Sequence, residues 1–486
     1  MSNYSNLETE IRKTANKKIC ELDSWEFCLH YDYDLFSNRP FLKIIAYSFQ
    51  WLIQKEETPQ HIIDYVIDNC EKQNYYYSGN HPQKIGISLP PRAGKSYVIS
   101  VCSAWALGKY PTESIMRNAC TERLYQKFSY DVREIIRSDK FNDIFPKIKL
   151  SMDKSAINGW NTNKAKQVSY FGSGVGGTII GFGASLVAIT DDLYKSMIDA
   201  LSSNTIEKVK MWKESAHDTR LERNCPQLDI GTRWTKKDIL GESEDNNEYD
   251  IIIRIPALVN NETFCDHVKT TEEYLKIKEN IDSALWDAGY QQEPAELKGA
   301  AFPKSLLKRF KLSDIKRKDF DFIVINYTDV ADQGKDFLCS PFGVLIDGNC
   351  YVVDVCYTQL DSDYTHPALV QKYKFWDIRQ GVFESNNQGL QYTKNLKKEF
   401  KEQDLTDYVK RIIAIPNSQN KHSRIIVQAP WILNNMYFLE DSELNDKPEY
   451  KLYLKHLCEY MKDKPTEPDD APDATAGLSI LSQKYK

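Results

Sequence analysis

Residues able to handle phosphate fall into two sets along the chain. The first begins at Lys84-Ile-Gly-Ile-Ser-Leu-Pro-Pro-Arg-Ala-Gly-Lys-Ser96. Residues 84–89 alternate like a strand, Pro90 and Pro91 end it, and the apolar run 97–107 is long enough for a buried helix. Strand, loop and helix in that order make a phosphate cradle, with the backbone of Pro91, Arg92, Ala93, Gly94, Lys95 and Ser96 around the anion. Lys95 would neutralise the β/γ-phosphates and the Ser96 hydroxyl would hold Mg²⁺, so the chain is expected to bind ATP. The pattern asks for Gly where Leu89 stands, and the string alone also fits a solvated turn before a core helix. A carboxylate-bearing strand is the further requirement. Ser185-Leu-Val-Ala-Ile-Thr-Asp-Asp192 meets it, with Asp191 as the magnesium ligand through water and Asp192 to orient or deprotonate the attacking water. In isolation an Asp-Asp turn capping a strand is the better explanation of the pair; after Lys95 and Ser96 it becomes the weaker one.

The second set lies beyond residue 300. Residues 320–329 form an apolar strand ending in Asp329, a short strand ends at Glu384, and Asp470 and Asp473 stand three apart at the start of a late helix, hence on one face. A hairpin follows the first strand, turned at Asp347-Gly-Asn. Acids at two strand ends and one helix start suit an RNase H-like sheet. There they hold two divalent ions, Mg²⁺ or Mn²⁺, about 4 Å apart, for cutting a phosphodiester. Helix capping and strand-end solvation are the plain alternatives for Asp470, Asp473 and Glu384 taken singly.

The elements between these residues alternate as a doubly wound sheet requires. Strands are expected at 115–120, 227–230 and 251–255, and helices at 122–137 and 271–290. Residues 7–70 read as helical, with aromatic stripes typical of core. Gly231-Thr-Arg-Trp234 ends a strand beside the nucleotide strands, so Thr232 and Arg233 could sense the γ-phosphate; Thr235 could also cap a helix. The reading is therefore α/β: a helical lid or subdomain at 1–75, a P-loop (ASCE-type) ATPase domain with a parallel-rich sheet at 76–300, a linker at 301–318, and an RNase H-like nuclease domain at 319–486. A chain of 486 residues is too long for one core.

A net charge of −6 excludes a globally basic nucleic-acid binder but permits a local basic groove, for which Lys421 and Arg424, near Lys410 and Arg411, are the candidates. A solvated face explains these residues as well. The eleven cysteines are scattered, with no C-x-x-C pair, so neither disulfide nor zinc is expected. The first 18 residues are too polar for a secretory signal, and no run approaches the ~18 apolar residues of a membrane span, which gives a cytosolic expectation.

In conjunction these residues resemble the large terminase subunit of tailed bacteriophages, a DNA-packaging motor and nuclease. The resemblance rests on Pro90-Pro-Arg-Ala-Gly-Lys-Ser96, Gly174-Val-Gly-Gly-Thr-Ile-Ile-Gly-Phe-Gly183 before Asp191-Asp192, Thr219-Arg-Leu-Glu and Gly231-Thr-Arg-Trp234. Ala288-Gly-Tyr-Gln-Gln-Glu-Pro, Ala301-Phe-Pro, Phe383-Glu-Ser-Asn-Asn-Gln-Gly389 and Asp469-Asp-Ala-Pro-Asp-Ala474 extend it to about residues 84–480. The family often has Asp-Glu where this chain has Asp191-Asp192. The resemblance implies ATP hydrolysis that moves double-stranded DNA into a procapsid, and endonucleolytic cutting of concatemers. It implies a portal protein and a small terminase subunit as partners, a pentameric ring on the procapsid, and a place in the cytoplasm of the infected bacterium. It also implies a catalytic arginine, Arg92 in cis or Arg117, Arg123 or Arg133 from a neighbouring subunit, and a further metal-site acid at Asp336. A helicase-like DNA translocase would need a second RecA-like half after residue 300. A non-enzymatic capsid or adaptor protein would leave the order of lysine, serine and acid pair unexplained.

Overall fold

The structure, a computed structural model, describes the chain except residues 1, 74–80, 157, 180, 296–298, 316–321, 331–335, 387–388, 418–419 and 486. The last residues of the linker, 316–318, and the first of the strand at 320–329 lie outside the described residues. The chain forms two compact units, Met1–Lys278 with Ser283–Ala295, and Glu279–Asp282 with Glu296–Lys486.

In the first unit nine strands form one sheet: β1 (Lys72–Gln73), β2 (Lys84–Ser88), β3 (Ile115–Ala119), β4 (Leu150–Ala156), β5 (Gly159–Thr162), β6 (Tyr170–Phe171), β7 (Val187–Asp191), β8 (Gln227–Gly231) and β9 (Ile251–Arg254). Their order is β1-β9-β2-β8-β7-β3-β6-β5-β4, and the run from β9 to β6 is parallel throughout. Every residue of β2, β3 and β7 is buried, as a sheet covered on both faces demands. β2, carrying the phosphate loop, and β7, carrying the acid pair, flank β8, so their C-terminal ends open on one edge. Two glycines of the dense stretch 170–184 are explained by close approach to β3 and the residues just after it. A Cβ on Gly172 would fall 1.8 Å from the Arg117 carbonyl oxygen, and one on Gly174 2.2 Å from the Glu122 nitrogen.

The early helices, among them Ser24–Tyr31 and Leu42–Gln54, share the core of this sheet. Phe27, Leu42, Ile45 and Phe49 pack in one cluster with Ile85, Val98, Trp105 and Ile189, and the Trp105 indole donates to the Cys20 carbonyl. The helix expected over 271–290 is two, Thr271–Glu279 and Ser283–Gly289, separated by Asn280 and Asp282, side chains that compete with the helical backbone for hydrogen bonds. A small hairpin joins β10 (Leu258–Val259) to β11 (Glu262–Thr263).

The second unit holds β12 (Lys308–Phe310), β13 (Ile323–Thr328), β14 (Leu338–Ile346), β15 (Asn349–Thr358), β16 (Gln380–Glu384), β17 (Ile412–Ile415) and β18 (Met436–Leu439) in the order β12-β18-β15-β14-β13-β16-β17. Only β14 runs antiparallel to its neighbours, and β13, β16 and β17 are parallel, which is the RNase H-like arrangement. The hairpin turns at Asp347 and Gly348, both at positive φ, the backbone a tight two-residue turn needs. The helix Ser362–Trp376 begins where Asp361 caps it by accepting from the Asp363 and Tyr364 amides. The last helix, Asp470–Ser482, is buried almost along its whole length, against β13, β14 and the helix Lys421–Asn435.

Candidate active sites

The phosphate loop joins β2 to the helix Lys95–Lys109, with Gly94 left-handed at the helix N-cap. The Lys95 ammonium is buried at the loop's centre, 2.9 Å from Asp192 Oδ2, and donates to Thr232 Oγ1 at 3.2 Å. Ser96 Oγ donates to Asp191 Oδ1 at 2.9 Å. Lys95, Ser96, Asp191 and Asp192 thus meet as expected, and Thr232 joins them: its hydroxyl donates to the Leu89 carbonyl and its amide to Asp192 Oδ1. A hydroxyl and a carboxylate side by side at a helix N-terminus fit magnesium, which takes hard oxygen ligands and keeps several waters. Burial raises the Asp192 carboxyl above the usual range, with Lys95 opposing and Asp191 adding to the rise. A carboxylate made more basic in this way is suited to accept a proton.

The arginines separate. Arg92 is exposed on the loop at φ 64°, in reach of solvent. Arg117 contradicts the expectation of a group offered to a neighbouring subunit. It is wholly buried in its own chain, its Nε and Nη2 on Asp191 Oδ2, its Nη2 on the Ser96 carbonyl and its Nη1 on Ser100 Oγ, with the guanidinium 3.8 Å over the Phe128 ring. Arg123, on the first turn of the helix Glu122–Arg137, is exposed, and Arg133 is half-buried. Arg233, expected beside the γ-phosphate, instead pairs with Glu244 at 2.7 Å and Asp238 at 3.3 Å, held there by burial. Asp238, rather than Thr235, caps the helix that follows. Arg117 was not legible as a partner of Asp191; the available signal was a charged residue in the middle of a buried strand.

In the second unit Asp329, Glu384 and Asp473 each offer an oxygen within 4.8 Å of the others, and all three are buried. Among the described residues this is the group of acids able to share an ion. Asp329 follows β13, Glu384 ends the adjacent parallel β16, and Asp473 stands in the first turn of the last helix. Asp470, the other acid expected at that turn, lies outside the trio and accepts from the Phe337 amide at 3.1 Å. Asp336 is exposed and close enough to Asp470 to act on its charge. Burial pushes Asp470 up to about 6, against the Phe337 amide and Lys421 and with help from Asp469 and Asp336. Burial also lifts Asp329 and Asp473, opposed by Lys421 for the first and Arg424 for the second.

Lys421 and Arg424 are not on an open basic face. They stand three apart on the helix Lys421–Asn435 and point into the acids. Arg424 is 3% exposed, donates from Nη2 to Glu384 Oε1 at 2.8 Å, and grips Asp473 Oδ1 through Nε and Nη2. A phosphate contact through Arg424 is therefore excluded by its burial. Lys421 Nζ lies 3.2 Å from Asp329 Oδ2, 3.4 Å from Asp469 Oδ1 and 3.6 Å from Asp473 Oδ2, with its side chain 42% exposed. Those carboxylates hold its ammonium above its ordinary range although burial works the other way. Arg411 pairs with Asp377 at 2.7 Å. Glu384 Oε1 also accepts from Tyr327 Oη and Asn417 Nδ2, neither of which sequence reasoning had singled out. Asp473 Oδ2 is buried and accepts no hydrogen bond, the state of an oxygen placed to meet a cation. The donor set, all carboxylate oxygen, fits Mg²⁺ or Mn²⁺.

No protein-family model matches the sequence, and no curated protein does. Solved structures do match. The large terminase of a thermophilic bacteriophage is similar over 82% of this chain and 94% of its own, with a TM-score of 0.51 at 8% identity. The same protein in complex with ADP is similar over the same shares with a TM-score of 0.50 at 9% identity. In complex with ATP-gamma-S it is similar over 82% of this chain and 93% of its own, again with a TM-score of 0.50 at 9% identity. At such identity the likeness is one of fold: an α/β chain with the architecture of large terminases.

Proposed function

We propose that this chain is a large terminase subunit, which hydrolyses ATP to drive double-stranded DNA into a phage procapsid and cuts that DNA with a metal-dependent nuclease. What carries the reading is the conjunction in one chain of a Lys95–Asp192–Thr232 phosphate site and an Asp329–Glu384–Asp473 cluster on an RNase H-like sheet. In the first unit Lys95 binds the β/γ-phosphates and Asp192, released from Lys95 by the incoming phosphate, orients a water and accepts its proton. Magnesium, bound at Ser96 and Asp191, would neutralise charge on the phosphates. Thr232, tied to both Lys95 and Asp192, is placed to report loss of the γ-phosphate to β8. Arg92 is the in-cis candidate to stabilise the transferring phosphoryl group, and Arg123 the exposed candidate to act across subunits.

In the second unit Asp329, Glu384 and Asp473 would bind divalent ions that activate water and stabilise the leaving oxygen of a phosphodiester. Tyr327, Asn417 and Arg424 fix the Glu384 carboxylate, and Arg424 fixes Asp473, so the oxygens are oriented in advance. The partners that follow from this reading are DNA, a portal protein, a small terminase subunit and further copies of the chain in a pentameric ring, acting in the cytoplasm of an infected bacterium. A helicase-like translocase is disfavoured because the second unit places an antiparallel strand, β14, inside its sheet and a buried acid cluster at its edge. The test is direct: purified protein should hydrolyse ATP and nick supercoiled plasmid when Mg²⁺ or Mn²⁺ is added. A protein that does neither is not this enzyme.

A further inference from the structure

The oxygens of the acid cluster are unequally committed. Glu384 Oε1 is saturated by Tyr327, Asn417 and Arg424, and Asp473 Oδ1 is gripped by Arg424. Arg424, buried and bound to both acids, is a permanent part of the site. The oxygens left are those of Asp329, the second oxygen of Glu384, and Asp473 Oδ2, which is buried without a hydrogen bond. Among the described residues the cation that meets these oxygens is the Lys421 ammonium, 3.2 Å from Asp329 Oδ2 and 3.6 Å from Asp473 Oδ2. Unlike Arg424 it is only half-buried, at the first residue of its helix, on a flexible stem that can swing to solvent.

We propose that Lys421 is an internal counter-cation occupying the place of a divalent ion between Asp329 and Asp473, and that ion binding at the nuclease site proceeds by displacing it. This rests on the nuclease reading above. Without an ion, three buried carboxylates within a few ångströms would repel one another, and Lys421 offsets that repulsion. With an ion, the ammonium and the metal cannot share the same oxygens, so the lysine leaves and the site gains its charge from the metal. Lys421 is thus a positioning residue that sets metal affinity and keeps the site unloaded at low metal concentration, while Arg424 stays.

The test measures Mn²⁺ binding to the full chain by electron paramagnetic resonance of the free ion, counting the binding that Asp473→Asn removes. Lys421→Met should bind Mn²⁺ about tenfold more tightly than the wild type or better, since even a partly screened charge at this distance exceeds the 1.4 kcal/mol that ~10-fold represents. Its metal-free form should melt at a lower temperature, and Lys421→Arg, which keeps the charge, should stay near the wild-type affinity. Should Lys421→Met not fold, Lys421→Gln serves in its place. Unchanged or weaker Mn²⁺ binding in the charge-free variants, alongside clear binding by the wild type, would overturn the displacement while leaving the nuclease reading standing. No Mn²⁺ binding sensitive to Asp473→Asn in any variant would overturn both.

Discussion

Asp191 uses both of its carboxylate oxygens: one meets the Ser96 hydroxyl, the other the Arg117 guanidinium, and both ion-pair partners are fully buried. Removing one member of such a pair leaves an uncompensated charge in the core. Arg117→Met should therefore cost roughly 3–5 kcal/mol in urea unfolding and cut the proposed ATP hydrolysis, because Asp191 loses the orientation that holds it beside Ser96. Arg117→Lys should not restore activity, since a single ammonium cannot span Asp191, Ser96 and Ser100. Asp470 supplies a second expectation at this scale. Its carboxyl is raised to about 6 in the fold, so the folded chain holds a proton there that the unfolded chain gives up near its ordinary value of 3.8. The stability it contributes is fully present below about pH 4 and lost as pH rises through about 6, by an amount on the order of 3 kcal/mol. Metal-free Asp470→Asn should accordingly show a flatter decline of melting temperature between pH 4 and 7 than the wild type; an equal slope would place that proton elsewhere.

The strands were largely legible because β2 alternates, β7 shows as a short apolar run ending in its acid pair, and the Asp347-Gly turn fixes the hairpin of β14 and β15. Helix starts were less so, since Asp361 and Asp238 cap from positions where an acid carries no pattern of its own. Partnership across elements was least legible. Lys421 and Arg424 were legible only as basic candidates, because what they face depends on how their helix packs on the last one. Arg117 and Arg233 went astray for the same reason. The glycines near β3 are a case where composition was visible and its cause was not. Gly172→Ala would press a methyl into the Arg117 carbonyl, a backbone atom that cannot yield. We expect a loss of more than about 2 kcal/mol and a visibly lower melting temperature, whereas Gly181→Ala, with nothing within 4 Å but a φ of 84°, should lose only the roughly 1–2 kcal/mol of a left-handed backbone.

At the scale of the whole molecule, Lys95 and Asp192 belong to the first unit, and Asp329, Glu384 and Asp473 to the second. The central claim is that one chain combines an ATPase and a metal-dependent nuclease, so the most direct measurement is a crossed pair of assays on Lys95→Ala and Asp473→Ala. Lys95→Ala should lose ATP hydrolysis, by a factor of about 10² or more, and still nick plasmid in Mn²⁺. Asp473→Ala should lose nicking and keep ATP hydrolysis. ATP turnover at the wild-type rate in Lys95→Ala, or nicking at the wild-type rate in Asp473→Ala, would contradict the account.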